Sequence, residues 1–172
     1  MTLIYYDIKN IYNIYLMPST ICLNMIVKNE GKIITRLLES VVSIIDTYCI
    51  CDTGSTDNTV EIIDTYFKDK GISGKIMRIP FRNFGYNRTK ALEGTKGMAD
   101  YALLLDADMK LIIKDNFDKN CLTADAYVIR QGCDSFDYYN VRLIKTDIGA
   151  KCVCPTHEYY ELPKNSKQEK MD

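Results

Sequence analysis

With 172 residues the chain is long enough for one domain with a substantial core. Apolar residues make up 47% and charged residues 26%, the proportions of a soluble globular protein. The 22 Lys and Arg against 23 Asp and Glu leave a formal charge of −1, which gives no basis for nonspecific binding to nucleic acid or to an acidic membrane surface. Seven scattered cysteines, an odd number, do not form a disulfide framework and suggest a reducing compartment. No apolar run approaches the roughly 18 residues a membrane span needs. The expectation is a soluble, cytoplasmic protein without a transmembrane segment.

Residues 1–20 read as an N-terminal extension packing on the domain, punctuated by Pro18-Ser19-Thr20. Ile21 to Val27, β-branched and apolar, predicts a first strand that ends in the turn Lys28-Asn29-Glu30-Gly31. Apolar residues recur at helical period from Lys32 to Asp46. A second strand, Tyr48 to Cys51, runs into the polar loop Asp52-Thr53-Gly54-Ser55-Thr56-Asp57-Asn58. Asn58 and Glu61 read as a capping box opening a helix that continues to Gly71. A third strand, Lys75 to Ile79, is stopped by Pro80, and a helix from about Asn87 to Lys96 precedes Gly97. Asp-Tyr-Ala-Leu-Leu-Leu-Asp-Ala-Asp (100–108) is a buried strand that stops on two carboxylates, Asp106 and Asp108.

This β-α-β-α-β-α-β order predicts an α/β fold, a mostly parallel sheet with right-handed crossovers and helices on both faces. Beyond Asp108, Ala126 to Gln131 and Tyr138 to Lys145 predict an antiparallel strand pair. Residues 21–162 then form the domain, and 163–172, Lys-rich and poor in apolar residues, read as a flexible tail.

In a parallel sheet, Asn29/Glu30, Asp52 to Asp57 and Asp106/Asp108 fall on one rim, where open α/β sheets bind ligands. One acidic strand end alone is more readily a solvated turn than a site; three on the same rim imply a site. An anionic ligand needs a cation there, and a nucleoside diphosphate bridged to Asp108 through Mg²⁺ or Mn²⁺ satisfies that requirement. Neither a P-loop nor a G-x-G-x-x-G follows the first strand, which speaks against a dinucleotide or P-loop enzyme. Cys152, Cys154 and His157 do not have the spacing of a zinc knuckle.

Ile-Val-Lys-Asn-Glu (26–30), Cys-Asp-Thr-Gly-Ser-Thr-Asp-Asn-Thr (51–59), Asn-Phe-Gly-Tyr-Asn-Arg (83–88) and Leu-Leu-Leu-Asp-Ala-Asp (103–108) together resemble the family 2 glycosyltransferases of GT-A, Rossmann-like fold. The motifs stand in the family's order and at its spacings, over about residues 20–110. His157-Glu158 resembles the His-Glu pair late in the catalytic domain of some members. The resemblance implies a nucleoside-diphosphate sugar donor, Mn²⁺ or Mg²⁺, and inverting transfer to an acceptor hydroxyl. It places Asn29 and Glu30 near the nucleoside, and Asp52 on base or ribose with Asp57 on the same loop. Arg88 would hold the donor, Asp106 would reach ribose or sugar, and Asp108 would ligate the metal. His157 would be a second metal ligand or face the pyrophosphate. For the catalytic base, Glu158 is preferred over Asp134 and Asp137. The sequence ends about where many members continue into acceptor-binding elements, so the expectation is a trimmed catalytic domain, a minimal enzyme or a donor-binding module without independent turnover, and the acceptor (protein, glycan or lipid) stays open.

Two other readings compete. A phosphatase of the haloacid dehalogenase class also uses Asp-x-Asp at a strand end. There, however, the pair lies on the first strand, and here Met109-Lys110 stands in place of the small hydroxyl or branched residue that class requires. A nucleotide-sugar binding module without turnover would keep the same donor residues.

Overall fold

The structure is a computed structural model and describes residues 18–133 and 136–171. Most of the N-terminal extension predicted over 1–20 therefore lies outside the described residues. Thr20, within them, fixes the start of the first strand: its amide and hydroxyl both donate to the Asp100 carboxylate at 2.8 Å.

Seven strands form the main sheet: β1 (Ile21–Val27), β2 (Thr47–Asp52), β3 (Gly74–Arg78), β4 (Tyr101–Leu104), β5 (Ala126–Cys133), β6 (Phe136–Lys145) and β9 (Gln168–Met171). Their order is β3-β2-β1-β4-β6-β5-β9. The first four in that order are mutually parallel, β6 runs antiparallel to both β4 and β5, and β9 is parallel to β5. Strands β7 (Lys151–Val153) and β8 (Tyr159–Glu161) form a separate small antiparallel pair.

Helices α1 (Ile34–Val41) and α2 (Thr59–Asp69) cover one face of the sheet and α3 (Phe84–Glu93) the other. The alternation along β4 makes this arrangement visible. Tyr101 and Leu103 pack with Leu37, Leu38, Ile63 and Phe67 of α1 and α2. Ala102 and Leu104 pack with Leu92 of α3. Side chains on a strand alternate between faces, so a strand covered on both sides must be apolar throughout, which is why 101–105 reads as an unbroken run. On the α3 face a polar residue locks the packing. Asn24, buried in β1, donates its two amide hydrogens to Cys49 O at 2.7 Å and Ala91 O at 2.8 Å, tying β1, β2 and α3 together. Cys22 and Cys49 are buried among these strands, and burial pushes their thiols up to about 12 and about 11.

Four sequence expectations are corrected. The helix predicted over 32–46 is regular only over Ile34–Val41; past it the turn tightens, the Ile44 amide donating three residues back to Val41 O at 3.0 Å. The helix predicted from Asn87 begins at Phe84, since the Asn83 side chain caps it by accepting from Tyr86 N at 2.8 Å. Asn58 occupies the N-cap position of α2 without a side-chain bond; Asp57 takes the Thr59 amide instead. Residues 168–171, inside the segment read as a flexible tail, form β9. A sheet edge offers backbone hydrogen bonds that need no apolar side chain. Asp125 sets the entry: Lys167 N donates to its carboxylate at 2.8 Å and Asp125 N to Lys167 O at 2.8 Å.

Candidate functional site

Because β1, β2, β3 and β4 are parallel, the loops after them open on one rim. Asn29, the second residue past β1, sits at φ 58°, in the left-handed region that asparagine tolerates better than most residues. From there its side-chain carbonyl accepts from Thr56 N at 2.7 Å, Thr56 Oγ1 at 3.3 Å and Asp57 N at 3.4 Å, while its own amide donates to Ser55 Oγ at 3.0 Å. Asn29 therefore clamps the loop after β2 to the loop after β1, and its carbonyl is engaged in that work.

Asp57 closes the same junction from the other side. Its carboxylate accepts from Thr59 N at 3.0 Å, from Thr59 Oγ1 at 2.5 Å, and from Gly31 N at 3.1 Å. The Thr59 hydroxyl, ahead of the backbone donors, holds the Asp57 carboxyl below the ordinary carboxylate range. Gly31 leaves room for this approach: a Cβ there would stand 2.5 Å from Asn58 Oδ1 and 2.9 Å from Asp57 Oδ2, and those side-chain ends would have to move. Asp52, buried at the end of β2, shapes the loop by accepting from Ser55 N at 3.0 Å. Asp52, Thr53, Gly54, Ser55, Asp57 and Arg78 border an open cleft of about 480 Å³. Asn87, buried at the first turn of α3, holds the far wall by accepting from Arg82 N at 2.8 Å and donating to Ile79 O and Pro80 O. The motif carried Asn87, but its bracing role depends on contacts that span the loop.

Glu30 lies where the three acidic loops meet. Burial raises its carboxyl above the ordinary range, and the nearby charges of Asp108, Asp57 and Asp106 raise it further. Asp108 is exposed at this meeting point. Its backbone carbonyl accepts from Arg36 of α1 at 2.5 Å, and the adjoining loop is tied back through Leu111 N to Ser40 Oγ at 3.0 Å. Among the described residues no Lys or Arg pairs with the Asp108 carboxylate. Arg36 and Ser40 escaped the sequence reading because they act from the helix behind the loop.

Asp106, unlike Asp108, is paired with cations. Its carboxylate is 2.6 Å from Arg88 of α3 and 3.7 Å from Arg142 of β6. Arg88 also donates from Nε to Glu158 at 2.9 Å. Burial works against the Arg88 charge, but Asp106 and Glu158 outweigh it and raise the group above its ordinary value. Glu158 reaches Arg88 because β7 lies against α3. Thr89 Oγ1 exchanges two 2.9 Å hydrogen bonds with Cys152 backbone atoms, and the Cys154 carbonyl passes so close to Gly85 that no Cβ fits there. The glycine of Asn-Phe-Gly-Tyr-Asn-Arg is thus a packing requirement between two distant segments.

Of the predicted site residues, the structure gathers Asn29, Glu30, Asp52, Asp57, Arg88, Asp106, Asp108 and Glu158 at this rim. His157 is exposed at φ 55°, beside Glu158. Among the described residues no three His, Cys, Asp or Glu side chains form a group able to hold a metal ion. Asp108 and His157 therefore do not belong to a ready-made cage of three protein ligands. The donor set suits a hard divalent cation that takes one or two carboxylates and completes its shell with phosphate and water. The negative charge that raises Glu30 is what such a cation would offset. Of the alternatives to Glu158, Asp137 is ion-paired with Arg130, and Asp134 lies outside the described residues.

Among curated proteins no sequence matches this chain. In solved structures the fold is similar to S. aureus TarS (residues 1–349) in complex with UDP, at 21% identity and TM-score 0.52, over 68% of this chain and 37% of that one. It is also similar to TarS with UDP-GlcNAc, at 20% identity and TM-score 0.51 over 68% and 36%, and to GalNAc-T7 with UDP, GalNAc and Mn²⁺, at 17% identity and TM-score 0.50 over 67% and 24%. The chain thus spans well under half the length of these proteins, and at such identities the likeness concerns the fold. The family itself follows from the sequence, because the model described as "Glycosyl transferase family 2" matches residues 22–114, more than half of the chain and the stretch that builds the acidic rim. The chain belongs to glycosyl transferase family 2.

Proposed function

We propose that the chain carries the donor site of a metal-dependent, inverting glycosyltransferase that moves a sugar from a nucleoside diphosphate to an acceptor hydroxyl. The observation that carries this reading is the convergence of Glu30, Asp57, Asp106 and Asp108 on one rim beside Arg88. The solved relatives with UDP, UDP-GlcNAc and Mn²⁺ support the donor class and the choice of ion.

In this reading Asn29 and Asp57 hold the nucleoside-side loops in register, and Asp52 lines the cleft for base or ribose. Asp106 faces ribose or sugar, braced by Arg88. Asp108 would hold Mn²⁺ or Mg²⁺, with His157 as a second ligand or pyrophosphate contact. When bound, the cation supplies charge neutralisation for the departing diphosphate. Glu158 is assigned as the base toward the acceptor hydroxyl, a role typically worth 10²–10⁴-fold. Its bond to Arg88 gives it a second task, holding that guanidinium, and favours as runner-up a donor-binding module without turnover.

A thermal-shift panel of sugar nucleotides, with and without Mn²⁺, tests the donor site. A ligand at 100 times its dissociation constant should stabilise by about 2.7 kcal/mol, a shift of several degrees at this size. The shift should require metal and vanish in Asp108→Ala. If no sugar nucleotide moves the wild-type melt with metal present, the donor site is misassigned. Transfer or hydrolysis measured with the ligand that binds separates the enzyme from the module.

A further inference from the structure

Asp106 has a second cation whose presence the ion pair with Arg88 does not explain. Strands β5 and β6 pair antiparallel with one break in register: Tyr127 faces Leu143 but Val128 faces Val141, so Arg142 is an extra residue on β6. A bulge bends its strand and re-aims a side chain, and bulges concentrate beside functional sites. Arg142 is 8% exposed, and a buried guanidinium needs acceptors. Three surround it. Nε donates to Gln131 Oε1 at 2.6 Å, one terminal nitrogen donates to Leu104 O at 3.3 Å, and the same nitrogen lies 3.7 Å from Asp106 Oδ2. Gln131 is held in turn, its amide donating to the Tyr138 hydroxyl. Leu104 is the last residue of β4, so Arg142 grips both the strand end and the carboxylate two residues beyond it.

We infer that Arg142 is a positioning residue of the donor site, holding Asp106 and the end of β4 in the orientation donor binding requires, with Gln131 and Tyr138 setting its own geometry. The inference rests on the donor reading above. Stability alone is a poor explanation, because a buried ion pair is often no better for the fold than apolar residues of the same volume. Orientation is a better one, since small displacements of a site group carry large functional costs. Arg88 already serves two carboxylates, Asp106 and Glu158. An anionic diphosphate competing for Arg88 would leave Asp106 with Arg142 as its remaining cation.

The test compares wild type, Arg142→Lys, Arg142→Met and Tyr138→Phe by calorimetric titration with UDP-GlcNAc and Mn²⁺, alongside thermal melts. Arg142→Met should weaken binding by about tenfold or more, and Arg142→Lys, which keeps a charge near Asp106, should recover part of the loss. Tyr138→Phe, at an exposed position, should cost about threefold with an unchanged melt. If Arg142→Met does not fold, the Lys and Phe variants decide. Wild-type affinity in every variant that folds, with lowered melting temperature in the Arg142 variants, would reduce Arg142 to a structural residue and overturn the inference while leaving the donor site standing. If neither UDP-GlcNAc nor any other sugar nucleotide of the thermal-shift panel titrates into the wild type, both fall.

Discussion

Residues 21–108 deliver Asn29 and the site carboxylates from loops that follow each strand within a few positions, whereas residues 109–171 deliver Arg142 and Glu158 through packing. Asn29, Asp52 and Asp108 stand two, zero and four residues from the ends of their strands, and the parallel sheet alone brings them to one rim. Arg142 depends on a bulge in β6, and Glu158 on a backbone segment pressed against Gly85 and Thr89. The first half is a site built by topology. The second is built by close contacts between segments about 40 to 70 residues apart in sequence.

The largest effect expected from breaking this comparison is on Glu158. In Glu158→Gln, transfer should fall by about 10²–10⁴-fold while the sugar-nucleotide melting shift persists. Unimpaired transfer would remove Glu158 as base. A lost donor shift would instead assign it to bracing Arg88. Next is Gly85→Ala, where the added methyl meets the Cys154 carbonyl and must push β7 off α3. Overpacking of this kind costs about 1–3 kcal/mol, a fall of several degrees in melting temperature. Transfer should fall further than donor binding, because the amino-terminal loops are untouched. Equal loss of both would erase the distinction between the halves.

Smaller effects belong to the amino-terminal loops. Asn29→Ala removes the acceptor of three hydrogen bonds and leaves alanine at positive φ, for a cost of about 1–2 kcal/mol. It should weaken donor binding with little change in the rate of bound donor, as a saturation series would show. The smallest effect concerns Asp57 and pH. Its folded carboxyl titrates below the ordinary range, chiefly through the Thr59 hydroxyl, so the charged form is the one the loop stabilises. That contribution is fully present above the unfolded value near about pH 4, and is lost as pH falls through the lower folded value. Melts of wild type and Asp57→Asn should differ at neutral pH and converge in acid. A gap that widens in acid would contradict the hydrogen-bond account.

The mostly parallel sheet and the rim were legible because each rests on local pattern. Apolar runs of four to seven residues stop on polar loops, and an alternation of strand and helix admits few arrangements. Helix ends were less legible, since Asn83 and Asp57 chose their partners among several equally suited polar neighbours. The end of the chain was misread for a physical reason: β9 is held by backbone pairing and by Asp125, and composition is silent about both.

For the acidic strand end at 106–108, the sequence by itself determined that two carboxylates follow a buried strand, and that three polar loops share its rim. Only the tertiary structure decided how the pair divides. Asp106 meets two guanidinium groups, and Asp108 stays exposed with its backbone pinned by Arg36. Alternation along a strand is written in neighbouring residues. The partners of Asp106 come from α3 and β6, whose approach is set by a glycine contact and a one-residue bulge, and neither changes the hydrophobic pattern from which the elements were read.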